Sequence, residues 1–160
     1  GMSYSDFLDE NFFKPLQMVH TGQFEREDII PGRAAQYIID NDTLKNCPWY
    51  DISFKAGSGS IFSNVSDMYK WYRALINNKI LSPESVDKLF SRYEYGYGYG
   101  LGRGKSLFHM YYEHEGSTWG VSAYIAYYLT KERFLVILSN VSPDRVKLFK
   151  DELKDIVSGM

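Results

Sequence analysis

Tyr93-Glu94-Tyr95-Gly96-Tyr97-Gly98-Tyr99-Gly100-Leu101-Gly102-Arg103-Gly104 is the stretch on which the fold turns. Tyr93, Tyr95, Tyr97, Tyr99 and Leu101 fall two residues apart, with Gly96, Gly98, Gly100 and Gly102 beside them. A period of two puts alternate side chains on opposite faces of an extended chain. The run therefore reads as a strand with an aromatic face and a face of bare backbone that another group can approach closely. Downstream, residues 106–115, 121–130 and 133–140 read as three more strands, with Lys131-Glu132 turning the chain between the last two. Val146, Phe149, Leu153 and Ile156 then recur at helical spacing.

Upstream the period is helical. Residues 3–14 predict a short helix, capped by Ser3 or Ser5, with Asp6, Asp9 and Glu10 early, where the helix dipole favours acids. Pro15 stops or bends it. Asn64 followed by Asp67 fits a cap with an acid three residues on, and Val65, Met68, Tyr69, Tyr72, Leu75 and Ile76 carry that helix through Asn77. Ser82-Pro83-Glu84 opens another, ending near Ser91. Residues 17–56 have little periodicity and many turn residues, so they are expected to be a long irregular stretch with a functional or partner-supported role. The order of helices, antiparallel meander and helix defines an α+β fold: a sheet of three or four antiparallel strands packed with N- and C-terminal helices.

The chain of 160 residues is expected to be one domain over 1–160. Its 27 aromatic residues (14 Tyr, 10 Phe, 3 Trp) imply strands and a heavy core, or an adhesive surface. With 18 basic and 20 acidic residues the net charge is −2, and the basic residues are not clustered, which argues against a nucleic-acid partner. A single cysteine, Cys47, excludes an intrachain disulfide and a multi-cysteine zinc site. The most apolar windows, Val121–Leu129 and Phe134–Leu138, fall far short of the ~20 residues of a membrane-spanning helix. Gly1-Met2 reads as a tag scar before a start methionine, and no signal-peptide pattern follows. The compartment stays open.

The glycine series is not a dinucleotide fingerprint: counted from Gly98, the third glycine falls at Arg103, and the series lies in a strand rather than opening a helix. His109, Glu113, His114 and Glu115 suggest a metal site, but positions 109 and 114 are an odd number apart and face opposite sides of a strand. No cofactor and no metal are expected.

His114-Glu115-Gly116-Ser117 is more informative because of its company. The tyrosine-glycine run precedes it. Gly120-Val121-Ser122-Ala123 and a hairpin ending in Val136-Ile137-Leu138-Ser139-Asn140 follow it. This ordered set resembles the C-terminal part of the serine β-lactamase and penicillin-binding-protein-like hydrolases, in the branch of class C β-lactamases and D-Ala-D-Ala carboxypeptidases. Tyr4–Met18 is similar to the family's helix and its lysine-proline-leucine-glycine-methionine turn, with Gln17 in place of the glycine, and Thr21 follows at the expected distance. Gly57–Leu75 is similar to its glycine turn, serine and aspartate-led helix. Leu81-Ser82-Pro83-Glu84-Ser85 matches its next helix start. Members of the family are often bacterial and extracytoplasmic.

The resemblance implies a partial β-lactamase or transpeptidase-like fold and part of an active site. The family places a serine and a lysine three residues later on a helix, a tyrosine with an asparagine two residues on in a loop, and lysine or histidine, any residue, then glycine on a strand. Only the strand motif is evident here, as His114-x-Gly116. No Asn follows a Tyr or Ser at two residues' distance. Ser85 and Lys88 form the one serine-lysine pair at the right spacing, but they fall in a short helix of exposed character. By resemblance, residues 114–118 (His114, Glu115, Gly116, Ser117, Thr118) form a substrate-aligning strand edge. The backbone N–H of Ser117 is implied as an oxyanion donor, and His114 as an electrostatic or proton-relay group.

Three readings follow. The chain is a truncated domain, not catalytic alone; or it is an active serine hydrolase of β-lactamase, esterase or D-Ala-D-Ala peptidase type, using an unorthodox nucleophile such as Ser117 or Ser85 or completed by a separate N-terminal half; or it is a module that binds a peptide or partner by strand addition. In the family the N-terminal segment supplies strands beside the final strand. Phe134–Asn140 (FLVILSN) is therefore expected to be an edge, and the chain is expected to self-associate as a homodimer or to pair with an N-terminal half.

Overall fold

The computed structural model describes residues 1–91, 96–105, 109–141 and 144–159. Helix α1 (Tyr4–Leu8) begins where expected: the Ser3 hydroxyl accepts from the Asp6 N–H at 3.0 Å. It runs on as a π-helical turn over Asp9–Phe13 rather than as one α-helix to residue 14. Gln17 then takes φ 56°, the left-handed conformation for which glycine is best suited, at the position where the family pattern has glycine.

Residues 17–56 are more ordered than their composition suggests. β1 (Gly22–Gln23) pairs with β4 (Ile61–Phe62), and β2 (Tyr37–Asp40) forms a hairpin with β3 (Thr43–Asn46). Asn41 and Asp42 both have positive φ, 48° and 58°, which is the backbone of a type I′ turn. That local signal outweighs the absence of alternating burial in β3, whose residues are all exposed.

Helix α2 (Val65–Ile76) is capped by Asn64, whose side chain accepts from the Asp67 N–H at 2.8 Å. Helix α3 (Pro83–Leu89) is capped by Ser82, with proline in its first turn. The main sheet follows in sequential antiparallel order: β5 (Tyr97–Gly98), β6 (Leu101–Lys105), β7 (Met110–Thr118), β8 (Val121–Tyr128) and β9 (Arg133–Ser139). Helix α4 (Asp144–Ser158) closes the chain.

The tyrosine-glycine run departs from expectation. It is not one strand. Tyr99 and Gly100 adopt φ 47° and 81° and fold the run into a hairpin, so that Tyr97 pairs with Gly102. This adds a two-residue strand and brings the sheet to five. Positions 93, 95 and 106–108 of the expected strands lie outside the described residues. β7 runs three residues past the expected end, through Thr118. The bare glycines are covered by the chain's own tyrosines: the Tyr97 ring lies over Gly102, and the Tyr111 ring lies so close to Gly104 that a Cβ there would sit 2.2 Å from it. Cross-strand aromatic cover of glycine restores packing that a strand glycine forfeits.

Helices cover both faces of the sheet. On one face α2 and α3 bury Tyr72, Leu75 and Phe90 against Leu101 and Tyr127. The Tyr72 ring stacks on Phe134 at 4.9 Å between centroids. On the other face α4 buries Val146 against Tyr124, Ala126, Tyr128 and Leu135. β8 thus alternates between two cores. The high aromatic content is core, with tyrosine used where a larger apolar body fills the layer.

Candidate functional site

β6 and β7 diverge before the motif begins. Their register ends at Gly102 opposite Glu113, whereas β7 stays paired with β8 from Tyr112 through Thr118. From His114 to Thr118, β7 therefore has a neighbour on one side only among the described residues. An unpaired strand edge offers backbone donors and acceptors to an extended chain.

Alternation divides the five expected site residues between two faces. Tyr112 packs on Phe90 of the α3 side, and His114, Gly116 and Thr118 share that face by alternation. Tyr97 Oη and His114 Nδ1 are 2.9 Å apart. Thr118 Oγ1 accepts from Lys55 Nζ at 3.1 Å. Beyond it, Tyr50 stacks on exposed Trp119 at 6.4 Å and meets Phe54 edge-on, while Lys55 lies 5.8 Å over the Tyr50 ring. A Cβ at Gly116 would meet nothing within 4 Å, so packing inside this chain does not require glycine there. The position leaves the surface open.

Glu115 and Ser117 belong to the α4 face. Glu115 pairs with Lys150 at 2.6 Å, and that hydrogen bond holds its carboxyl below the ordinary glutamate range. Ser117 lines a recess with Val146 and Lys147. Both residues reach the edge through their backbone, while the Glu115 side chain is tied to α4 through Lys150. Further along the same face, Tyr124 donates to Glu113 at 2.5 Å and Lys154 pairs with Glu113 at 2.9 Å. Burial and then the Glu113 hydrogen bond push the Tyr124 phenol far up.

Ser85 and Lys88 are not part of this site. Ser85 sits in the first turn of α3, where its N–H donates to the Ser82 hydroxyl, and the residue is exposed. Among the described residues, no three His, Cys, Asp or Glu side chains come together to hold a metal ion, and no helix is long and apolar enough to cross a membrane. Lys55, Tyr50 and Trp119 carried no readable signal, because only the tertiary fold brings residues 50–55 to the end of β7. Tyr97 was visible in the alternating run, but its pairing with His114 needed the unexpected hairpin.

A layered α+β fold of this kind is found in penicillin-binding proteins and in a D-amino acid amidase. The model of the Beta-lactamase family matches residues 1–156, and the chain belongs to that family. It is 31% identical over 91 residues to the penicillin-binding protein PbpX of Bacillus subtilis, a match covering 57% of this chain and 23% of that protein. It superposes on the D-amino acid amidase of Ochrobactrum anthropi with a TM-score of 0.81 at 20% identity, covering 99% of this chain and 52% of that one. A similar match, with a TM-score of 0.76 at 25% identity over 96% of this chain and 38% of the other, is to an octameric penicillin-binding protein homologue from Pyrococcus abyssi. The chain spans about half the length of the amidase and a smaller share of the other two.

Proposed function

We propose that this chain is the C-terminal half of a β-lactamase or penicillin-binding-protein-like serine hydrolase fold, carrying the substrate-aligning strand and not catalytic alone. One observation supports it above others: the open edge of residues 114–118 faces no serine-lysine pair among the described residues. Acyl transfer needs a nucleophile within hydrogen-bond reach of its base and oxyanion donors around the carbonyl. The edge can supply the last of these, through the Ser117 N–H, and His114 can act as an electrostatic or relay group held by Tyr97. Purified chain is expected to show no turnover of nitrocefin, short p-nitrophenyl esters or D-Ala-D-Ala peptides, and no fluorophosphonate label. Stoichiometric acylation of a serine, lost on Ser117→Ala or Ser85→Ala, overturns this reading.

A second reading is favoured by the half-length match: the same edge works in an active hydrolase once a separate N-terminal half supplies the nucleophile. Mixing the chain with a family N-terminal half that bears the serine-lysine helix is then expected to produce activity that His114→Ala diminishes. Assembly from copies is also compatible with the family, since the Pyrococcus abyssi homologue is octameric.

A further inference from the structure

The open edge of β7 ends against an aromatic wall. Phe54 meets Tyr50 edge-on at 5.9 Å between centroids, and Tyr50 stacks on Trp119, the residue that follows β7. Phe54 is 68% exposed and Trp119 58%, while Tyr50 is half-buried. Single exposed apolar side chains are ordinary, but three rings in contact on one surface mark a place where a ligand or partner docks.

Lys55 adds a charge to this wall. Its Nζ lies 5.8 Å over the Tyr50 ring and 6.0 Å over the Phe54 ring, and it donates to Thr118 Oγ1. It makes no ion pair with a carboxylate among the described residues. An ammonium group has three donors, and Thr118 takes one of them. Rings and cation adjoin the unpaired side of β7. Thr118 is the last residue of the strand, and the face it shares with Gly116 is clear, since a Cβ at Gly116 would meet nothing within 4 Å. The wall, the cation and the free backbone can therefore meet one ligand.

We propose that Tyr50, Phe54, Trp119 and Lys55 select the ligand of the β7 edge: an extended peptide with an aromatic ring on the amino side of the carbonyl at Ser117, and a carboxylate beside that ring. The orientation follows from the sheet, which is antiparallel throughout. A chain added in the same sense runs opposite to β7, so its amino-terminal side lies at the Thr118 end, against the wall. An aromatic side chain there can extend the Phe54–Tyr50–Trp119 row by edge or offset contact. The two remaining donors of Lys55 suit a carboxylate. A purely apolar partner would cover Lys55 and leave its charge unanswered. A saccharide could stack on the rings, but it would leave the strand edge unpaired. This selection rests on residues 114–118 being the substrate-aligning edge, as read above.

The test is titration of the full chain with succinyl-phenylalanyl-alanyl-alanine amide, followed by amide and indole NMR. Two analogues each lack one feature: the acetyl peptide has no acid, and succinyl-trialanine amide has no ring. The first peptide is expected to give saturable shifts at the Trp119 indole and at the amides of residues 114–118. Loss of the acid should weaken binding about threefold, as for a half-exposed ion pair, and loss of the ring about tenfold. Lys55→Gln is expected to bring the succinyl peptide to the affinity of the acetyl peptide, whose own binding stays unchanged. Trp119→Ala is expected to weaken both phenylalanyl peptides and not the trialanine one, with both variants melting as wild type does. Absence of saturable shifts up to the solubility limit overturns the proposal. So does equal binding of the succinyl and acetyl peptides by wild type, an acid preference that survives Lys55→Gln, or maltotriose binding as tightly as the peptide. Shifts at Trp119 with none at residues 114–118 would strike the edge reading while upholding the preference for ring and acid. Serine acylation would strike the reading of a non-catalytic half and leave that preference standing.

Discussion

Asp67 is fully buried, and a lone carboxylate there would be expensive. It is answered from three directions: Lys70 Nζ at 2.8 Å, the His20 N–H at 2.8 Å and the Thr21 hydroxyl at 3.1 Å. Burial pushes its carboxyl up, but these bonds outweigh burial and hold it below the ordinary aspartate range. The group ties the turn after α1 to the first turn of α2, which is why the acid at the third helical position matters beyond capping. A carboxyl depressed by folding contributes stability that is complete above its unfolded value of about 3.9 and is lost as pH falls through its lower folded value. Asp67→Ala is expected to cost about 2–3 kcal/mol near neutral pH, discounted because Lys70 is partly exposed. Urea melts across pH should show the gap between wild type and variant closing only as pH falls below about 4. A gap unchanged down to the acid limit would show that the side chain acts by packing and not by charge.

At the scale of elements, backbone handedness decided what alternation could not. Among the described residues, six non-glycine residues have positive φ, and Tyr99 is the one behind the main departure from expectation. Tyr99, with Gly100, turns the tyrosine run back on itself, although tyrosine is a poor residue for a left-handed position. Gln17 holds a turn where the family pattern has glycine. Gln17→Gly is therefore expected to stabilise the chain by about 0.5–1 kcal/mol, and Gly100→Ala to destabilise it by about 1–2 kcal/mol. Thermal melts of the two variants should move in opposite directions, and movement in the same direction would refute the argument from handedness. The caps at Ser3, Asn64 and Ser82, the helices they open, and β8 and β9 were legible because each rests on a local rule: a side-chain acceptor, a hydrophobic period, or alternation. The β2–β3 hairpin had a local signal in Asn41-Asp42, hidden by polar, exposed strands without an apolar face. Of the site, the His114–Thr118 edge was legible through its motif. The split of its side chains between two faces followed from strand alternation. The Lys55, Tyr50 and Trp119 wall depended on contacts between residues more than sixty positions apart.

At the scale of the molecule, β9 is the outermost strand of the five. The chain covers its exit but not its length. Tyr37 bridges Val141, the Tyr37 N–H donates to the Asn140 carbonyl at 2.9 Å, and Asn140 Nδ2 donates to the Ala35 carbonyl at 2.8 Å. Residues 133–139 have no strand on their outer side among the described residues. An apolar edge without internal proline or charge is open to pairing with another chain. The two faces of β9 are unequal. Leu135 and Ile137 pack toward α4, so a charge at Ile137 would injure the core before it tested the edge. Leu138 is 40% exposed and outside both core clusters, which makes it the better probe. We expect the chain to self-associate at micromolar concentration, with β9 pairing across a two-fold axis, and light scattering to report a dimer mass. Leu138→Lys should return the mass to that of a monomer with little change in melting temperature, because like charges would meet at the axis while the core stays intact. An N-terminal half that pairs with β9 should compete with the dimer in the same measurement, since both need one edge. A strict monomer whose mass and solubility are unaltered by Leu138→Lys would mean that the edge recruits nothing.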